Sequence, residues 1–132
     1  MKNLLTLLAI FLGLGLVNAQ ASKKDENILN KAIQEVNGKT IKQKGYYDFK
    51  IKSASFEDGF LFYITEYENY GDNKVSYRDI PWNEAGEITV ENYEDNLSKI
   101  EIAFPLREMK IYVMKKDVEK VKNTIHKLIN KK

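Results

Sequence analysis

The chain has 132 residues, 43% of them apolar, with 21 Lys+Arg against 19 Asp+Glu, a net charge of +2 and no Cys. The missing Cys excludes a disulfide framework, a zinc-thiolate centre, a thiol nucleophile and a lipid-modified Cys. The near-zero net charge excludes a general nucleic-acid binder, which needs a strongly basic surface.

Met1–Ala19 reads as a leader. Lys2 gives a short positive start, Leu4 to Val17 is an apolar run broken by Thr6, Gly13 and Gly15, and Val17-Asn18-Ala19 is a peptidase-type ending. The run of about 14 residues is short of the roughly 20 that cross a bilayer. The expectation is a signal peptide cleaved before Gln20 and a mature protein, secreted or periplasmic, with no transmembrane segment. Residues 20–132 are then a single small domain, since two cores in 113 residues would each be too small. Without Cys, that domain is held by its apolar core alone. The abundance of Lys (19), Ile (13) and Asn (12) points to a bacterium with AT-rich coding.

Ser22 and Asp25 suit the start of a helix, and Ile28, Leu29, Ala32, Ile33 and Val36 repeat at helical spacing up to a stop at Gly38. A first helix is expected over Lys23–Asn37. After Gly45 the period becomes two: Tyr47, Phe49 and Ile51 face one way, and Glu57-Asp58-Gly59 marks a hairpin. In the next strand Phe60, Phe62 and Ile64 oppose Leu61, Tyr63, Thr65 and Tyr67, so a central strand covered on both sides is expected. Gly71-Asp72-Asn73 is the next expected turn, followed by a strand from Val75 to Ile80 that Pro81 ends. Asn83 to Gly86 turns again. Ile88 and Val90 are expected to face inward, Glu94-Asp95-Asn96 to turn, and Ile100, Ile102 and Phe104, then Met109, Ile111 and Val113, to line inward faces. Asp117 reads as the N-cap of a last helix whose Val118, Val121, Ile125, Leu128 and Ile129 fall in one arc.

This pattern predicts an α+β fold: an N-terminal helix, then a strongly bent antiparallel sheet or small barrel of about six to seven strands, closed by a C-terminal amphipathic helix. The stretch Val75-Ser76-Tyr77-Arg78-Asp79-Ile80-Pro81-Trp82, then Gly86-Glu87-Ile88-Thr89-Val90, resembles the middle of a pleckstrin-homology-like (PH-like) domain. Lys99–Met114 with the helix Asp117–Lys132 is similar to the last two strands and capping helix of that superfamily. The resemblance covers Gly45–Lys132. It departs from the family in having no Trp in the last helix and in the extra helix Lys23–Asn37, which also suits a cystatin-like or NTF2-like sheet around an N-terminal helix.

Residues for chemistry are few. His126 is the one His, so a multi-His zinc site is excluded. Ser53, Ser55, Ser76 and Ser98 lack a nucleophile-elbow setting. Acidic residues crowd Glu57 to Asp95, 11 against 2 basic, without an EF-hand pattern. No catalytic constellation, cofactor site or metal site is expected. Lys residues crowd the C-terminus, where Lys116, Lys120, Lys127 and Lys131 form a stripe suited to an anionic surface or acidic partner. The resemblance implies phosphoinositide binding for some members, but the loop Phe56-Glu57-Asp58-Gly59 would repel phosphate. Tyr63, Tyr67 and Tyr77 are expected to share a sheet surface with Trp82 at its rim.

Two functions follow as expectations. The first is an exported, non-catalytic binding or interaction module of the bacterial envelope, acting through an edge strand, the aromatic surface or the Lys stripe on a protein, peptide or envelope component. The alternative is a small apolar-ligand carrier, or minor enzyme, with a cavity lined by Phe60, Phe62, Tyr63 and Trp82.

Overall fold

The first apolar stripe becomes a helix, α1, over residues 23–34 of a computed structural model that describes residues 23–130. The leader, the cleavage position and Lys131 lie outside the described residues. Leu29, Ala32, Ile33 and Val36 are buried, as their spacing requires. Gly38 ends the segment with φ +82°, a left-handed conformation that costs a glycine little, and donates its N–H to Ile51 O at 2.7 Å.

Seven strands follow: β1 (Thr40–Ile41), β2 (Phe49–Glu57), β3 (Phe60–Tyr67), β4 (Gly71–Tyr77), β5 (Ile88–Asn92), β6 (Leu97–Ala103) and β7 (Glu108–Met114). They form two antiparallel sheets, ordered β1-β2-β3-β4 and β5-β6-β7, and do not close into a barrel. Helix α2 (Val118–Asn130) completes the α+β fold and packs on β6 and on the 3-10 turn Trp82–Glu84. Among the described residues no helix is long and apolar enough to cross a membrane. One hydrophobic core draws on both helices and both sheets.

The Asp58-Gly59 hairpin is a two-residue turn with both residues at positive φ (52° and 72°), the primed geometry that matches strand twist. Inside β2 the register shifts between Ile51 and Ser53, so the inward set changes from Phe49 and Ile51 to Ala54 and Phe56. Tyr47 falls before the strand and is exposed.

Three expectations about the strands need correction. The turn after β3 is residues 68–70, not 71–73, with Asn69 at φ +71°. Asp72 and Asn73 are already extended, and Asp72 is held by Lys52 Nζ at 3.1 Å from both carboxylate oxygens, in a contact that crosses the sheet. β3 is central, but only one side is covered: Leu61, Tyr63 and Thr65 are buried, while Phe60, Phe62 and Ile64 stay half-exposed on the outer face. β5 is an edge strand, so Ile88 is only half-buried and Val90 is exposed. By contrast Ile100, Ile102, Met109, Ile111 and Val113 are all fully buried.

Asp117 precedes α2 as expected, but it is buried against Glu35 at the end of α1. Burial and the Glu35 carboxyl raise the Asp117 pKa. The hydrogen bond they share lowers that of Glu35. Lys116 Nζ, 3.5 Å from Glu35, links the end of α1 to the turn before α2.

Candidate binding cleft

Pairing partners in a sheet share a face, and successive residues alternate between faces. On the three-stranded sheet this sends Ile100, Ile102, Met109, Ile111 and Val113 to the core and sets Lys99, Glu101, Glu108, Lys110 and Tyr112 on the opposite face. Lys99 and Lys110 of that face, with Glu91 of β5, form the floor of an open cleft of about 1010 Å³. Its far wall is the loop between β1 and β2, where Tyr46 and Tyr47 stand out from the surface. The loop is shaped by local bonds: Gln43 N–H donates to Asp48 Oδ1 at 3.0 Å, and Gln43 Nε2 donates to Tyr47 O at 2.9 Å.

A second chamber, about 330 Å³, adjoins the cleft and shares Tyr67 and Lys110 with it. It lies between the inner face of the four-stranded sheet and β7. Here Tyr63, fully buried, accepts the backbone N–H of Tyr112 on its hydroxyl at 3.0 Å, joining the two sheets. The Tyr112 ring meets Phe49 and Tyr63 edge-on at 5.4 and 5.7 Å. Tyr46, Tyr47, Tyr67 and Tyr93 line the outer cleft, and Tyr63, Tyr67, Tyr77 and Tyr112 line the chamber. Tyr70 packs on Tyr47 at 5.4 Å. Seven of the eight tyrosines of the chain therefore line one continuous depression, and the eighth, Tyr70, backs Tyr47.

Its electrostatics are set by paired charges. Lys99, whose side chain is only 15% exposed, lies 3.0 Å from Glu91 and 3.2 Å from Glu101. Burial opposes its charge, but the two carboxylates more than offset that and hold its pKa above the usual lysine range. Glu108 hydrogen-bonds Glu101, which lowers the Glu101 pKa and raises that of Glu108. Burial raises the pKa values of Tyr63, Tyr93 and Tyr112, so the cleft presents neutral phenols. Lys42 is 3.5 Å from Asp95 at the rim.

The Glu91–Lys99–Glu101 group yields a pH-dependent prediction. Lys99→Met should cost about 1–2 kcal/mol near neutral pH, since it leaves two carboxylates without their partially buried cation. The lowered Glu101 pKa means that its contribution is present above the unfolded carboxylate pKa and lost as pH falls through the folded one. The raised Lys99 pKa means that its contribution is present below the unfolded lysine pKa and lost on the alkaline side. Urea titrations of both proteins should therefore differ at pH 7 and converge at pH 3.

The expected site residues divide. Tyr63, Tyr67 and Tyr77 do come together, but in an inward chamber rather than on an outer sheet surface. Trp82 is not at its rim: it packs on Phe104 at 6.4 Å and on the α2 side of the core. Phe60 and Phe62 stack at 5.8 Å on the outer face, with Arg78 4.6 Å above Phe60, and line neither cavity. Lys116 is tied to Glu35 at 3.5 Å, while Lys120 and Lys127 are exposed on α2. His126 is exposed. Ser98 is buried and donates to Asn92 Oδ1 at 2.7 Å. Among the described residues no group of three His, Cys, Asp or Glu side chains is placed to hold a metal ion.

Tyr46, Tyr47, Tyr93, Tyr112 and Lys110 were not among the expected site residues. The Tyr46-Tyr47 doublet beside Gly45 was the available signal, hidden because Tyr47 also fits the alternation of Phe49 and Ile51. No family model, no curated protein and no solved structure matches the chain.

Proposed function

We propose that the protein is an exported, non-catalytic binding module of the bacterial envelope, with the tyrosine-lined cleft as its binding site. The gathering of seven of the eight tyrosines along one depression carries this reading. Tyrosine offers a large, amphipathic contact surface at a low cost in side-chain entropy, which makes it a favoured residue of recognition surfaces. The leader motif supports export, and the order of four strands, three strands and a terminal helix supports a PH-like scaffold with α1 added. The inner chamber also supports a narrower form of the carrier reading, for one small ring-sized ligand, because its volume is near the lower end of ligand pockets.

Paired baits test the module. Protein retained from envelope extracts by the wild type should be lost from Tyr47→Ala/Tyr93→Ala and kept by Lys120→Glu/Lys127→Glu. The reverse pattern would move the site to α2. Native mass spectrometry showing a retained small molecule would instead favour the carrier.

A further inference from the structure

The side chains of the outer cleft indicate what it takes. Four tyrosines line it, and every other lining residue is Lys, Glu, Gln or Asn. Its apolar surface therefore consists of aromatic rings, with no aliphatic side chain among them. A lipid tail or the apolar side chains of a peptide would find no matching pocket there. Charge is balanced as well. Lys42 meets Glu94 and Asp95, Lys99 meets Glu91 and Glu101, and Lys110 is the cross-strand partner of Glu101 beside Glu108. With Lys44, four lysines stand against five carboxylates, so a phosphate or polyanion meets no positive surplus.

The polar and aromatic groups are held in place. Tyr47 is 67% exposed, yet its ring is backed by Tyr70 at 5.4 Å. The Tyr93 hydroxyl donates to Glu91 at 3.2 Å. The buried Ser98 hydroxyl donates to Asn92 Oδ1 at 2.7 Å, which orients that amide and leaves its NH2 to donate elsewhere. Lys42, 3.5 Å from Asp95, joins the β1–β2 loop to the turn after β5, so both walls are fixed before anything binds.

We propose that the outer cleft takes a short uncharged oligosaccharide. The inference rests on the cleft being the binding site. A pyranose ring has flat faces of C–H bonds and a rim of hydroxyls that both donate and accept. Its C–H faces suit exposed tyrosine rings such as Tyr47, and its hydroxyls suit the Asn92 NH2 and the spare lone pairs of Glu91 and Glu94. The cleft, at about 1010 Å³, is at the upper end of ligand pockets and suits several linked rings.

The probe is an array of immobilised neutral oligosaccharides, with uronic-acid- and phosphate-bearing ones beside them, read with the purified mature protein and followed by titration calorimetry of the bound sugars. Neutral oligosaccharides should bind at least tenfold tighter than their constituent monosaccharides, with affinity nearly unchanged between about 0.01 and 1 M salt. Tyr47→Ala, an exposed substitution checked for folding by circular dichroism, should weaken them at least tenfold, and Tyr47→Phe, which keeps the ring, should not. No binding on the array, or binding to the acidic sugars alone, would overturn the sugar assignment. So would an envelope protein whose capture by the wild-type bait survives removal of its glycans; if Tyr47→Ala/Tyr93→Ala still abolishes that capture, the cleft stands as the site. Neutral sugars that bind Tyr47→Ala/Tyr93→Ala undiminished would overturn the cleft itself.

Discussion

Ile33→Ala should destabilise the protein by about 3 kcal/mol, within the range for emptying a fully buried aliphatic site. In a domain of this size that lowers Tm by roughly 10–20 °C, read by calorimetry or urea denaturation. Ile33 is 0% exposed in a core that also takes Leu29 and Val36 from α1 and residues from both sheets. The helix is therefore an integral part of the single core. A fragment of residues 45–132 would expose the faces of Ile51, Phe56 and their neighbours, and it should show no cooperative unfolding transition. Ile28→Ala, at a half-buried position on the same helix, should cost less than half as much. Equal effects at the two positions would mean that α1 does not dock through this face.

The second large effect is expected from Tyr63→Phe. The change removes one oxygen and keeps the ring, so packing against Tyr112 survives. The Tyr112 N–H, however, loses its acceptor on an edge strand pressed against the other sheet. An unmet buried donor costs about 1–3 kcal/mol. The loss should appear in urea denaturation and, more specifically, as faster hydrogen exchange at the Tyr112 amide. Ladder amides such as Ile111 and Val113 should slow or speed only with global stability. A stable variant with unchanged Tyr112 exchange would show that the two sheets are held by apolar packing without this bond.

Local chemistry was legible where it acted over a few residues. Asp58-Gly59 specifies its turn because two positive φ values are needed and those residue types tolerate them. Helical spacing found both apolar stripes, and strict alternation found the inward sides of β6 and β7. What the sequence hides is set by distant partners. The bulge after Ile51 reverses the parity of β2, and nothing near Ser53 announces it. Alternation groups Tyr63 with Tyr67, but whether that face meets water or a second sheet depends on β7, about 50 residues later. Trp82 lies five residues after Tyr77 in the chain, yet the turn carries it toward α2 and away from the chamber. A run of lysines reads as a free stripe until Glu35 comes from the other helix to meet Lys116.

The central claim is that binding occurs in the tyrosine cleft, and fluorine NMR tests it most directly. Protein labelled with 3-fluorotyrosine carries seven of its eight probes on the depression, and 5-fluorotryptophan places one probe at Trp82, outside it. On titration with the partner that the wild-type bait retains, resonances of Tyr47, Tyr67 and Tyr93 should shift and that of Trp82 should stay. A shift at Trp82 with the tyrosine resonances unmoved would contradict the account.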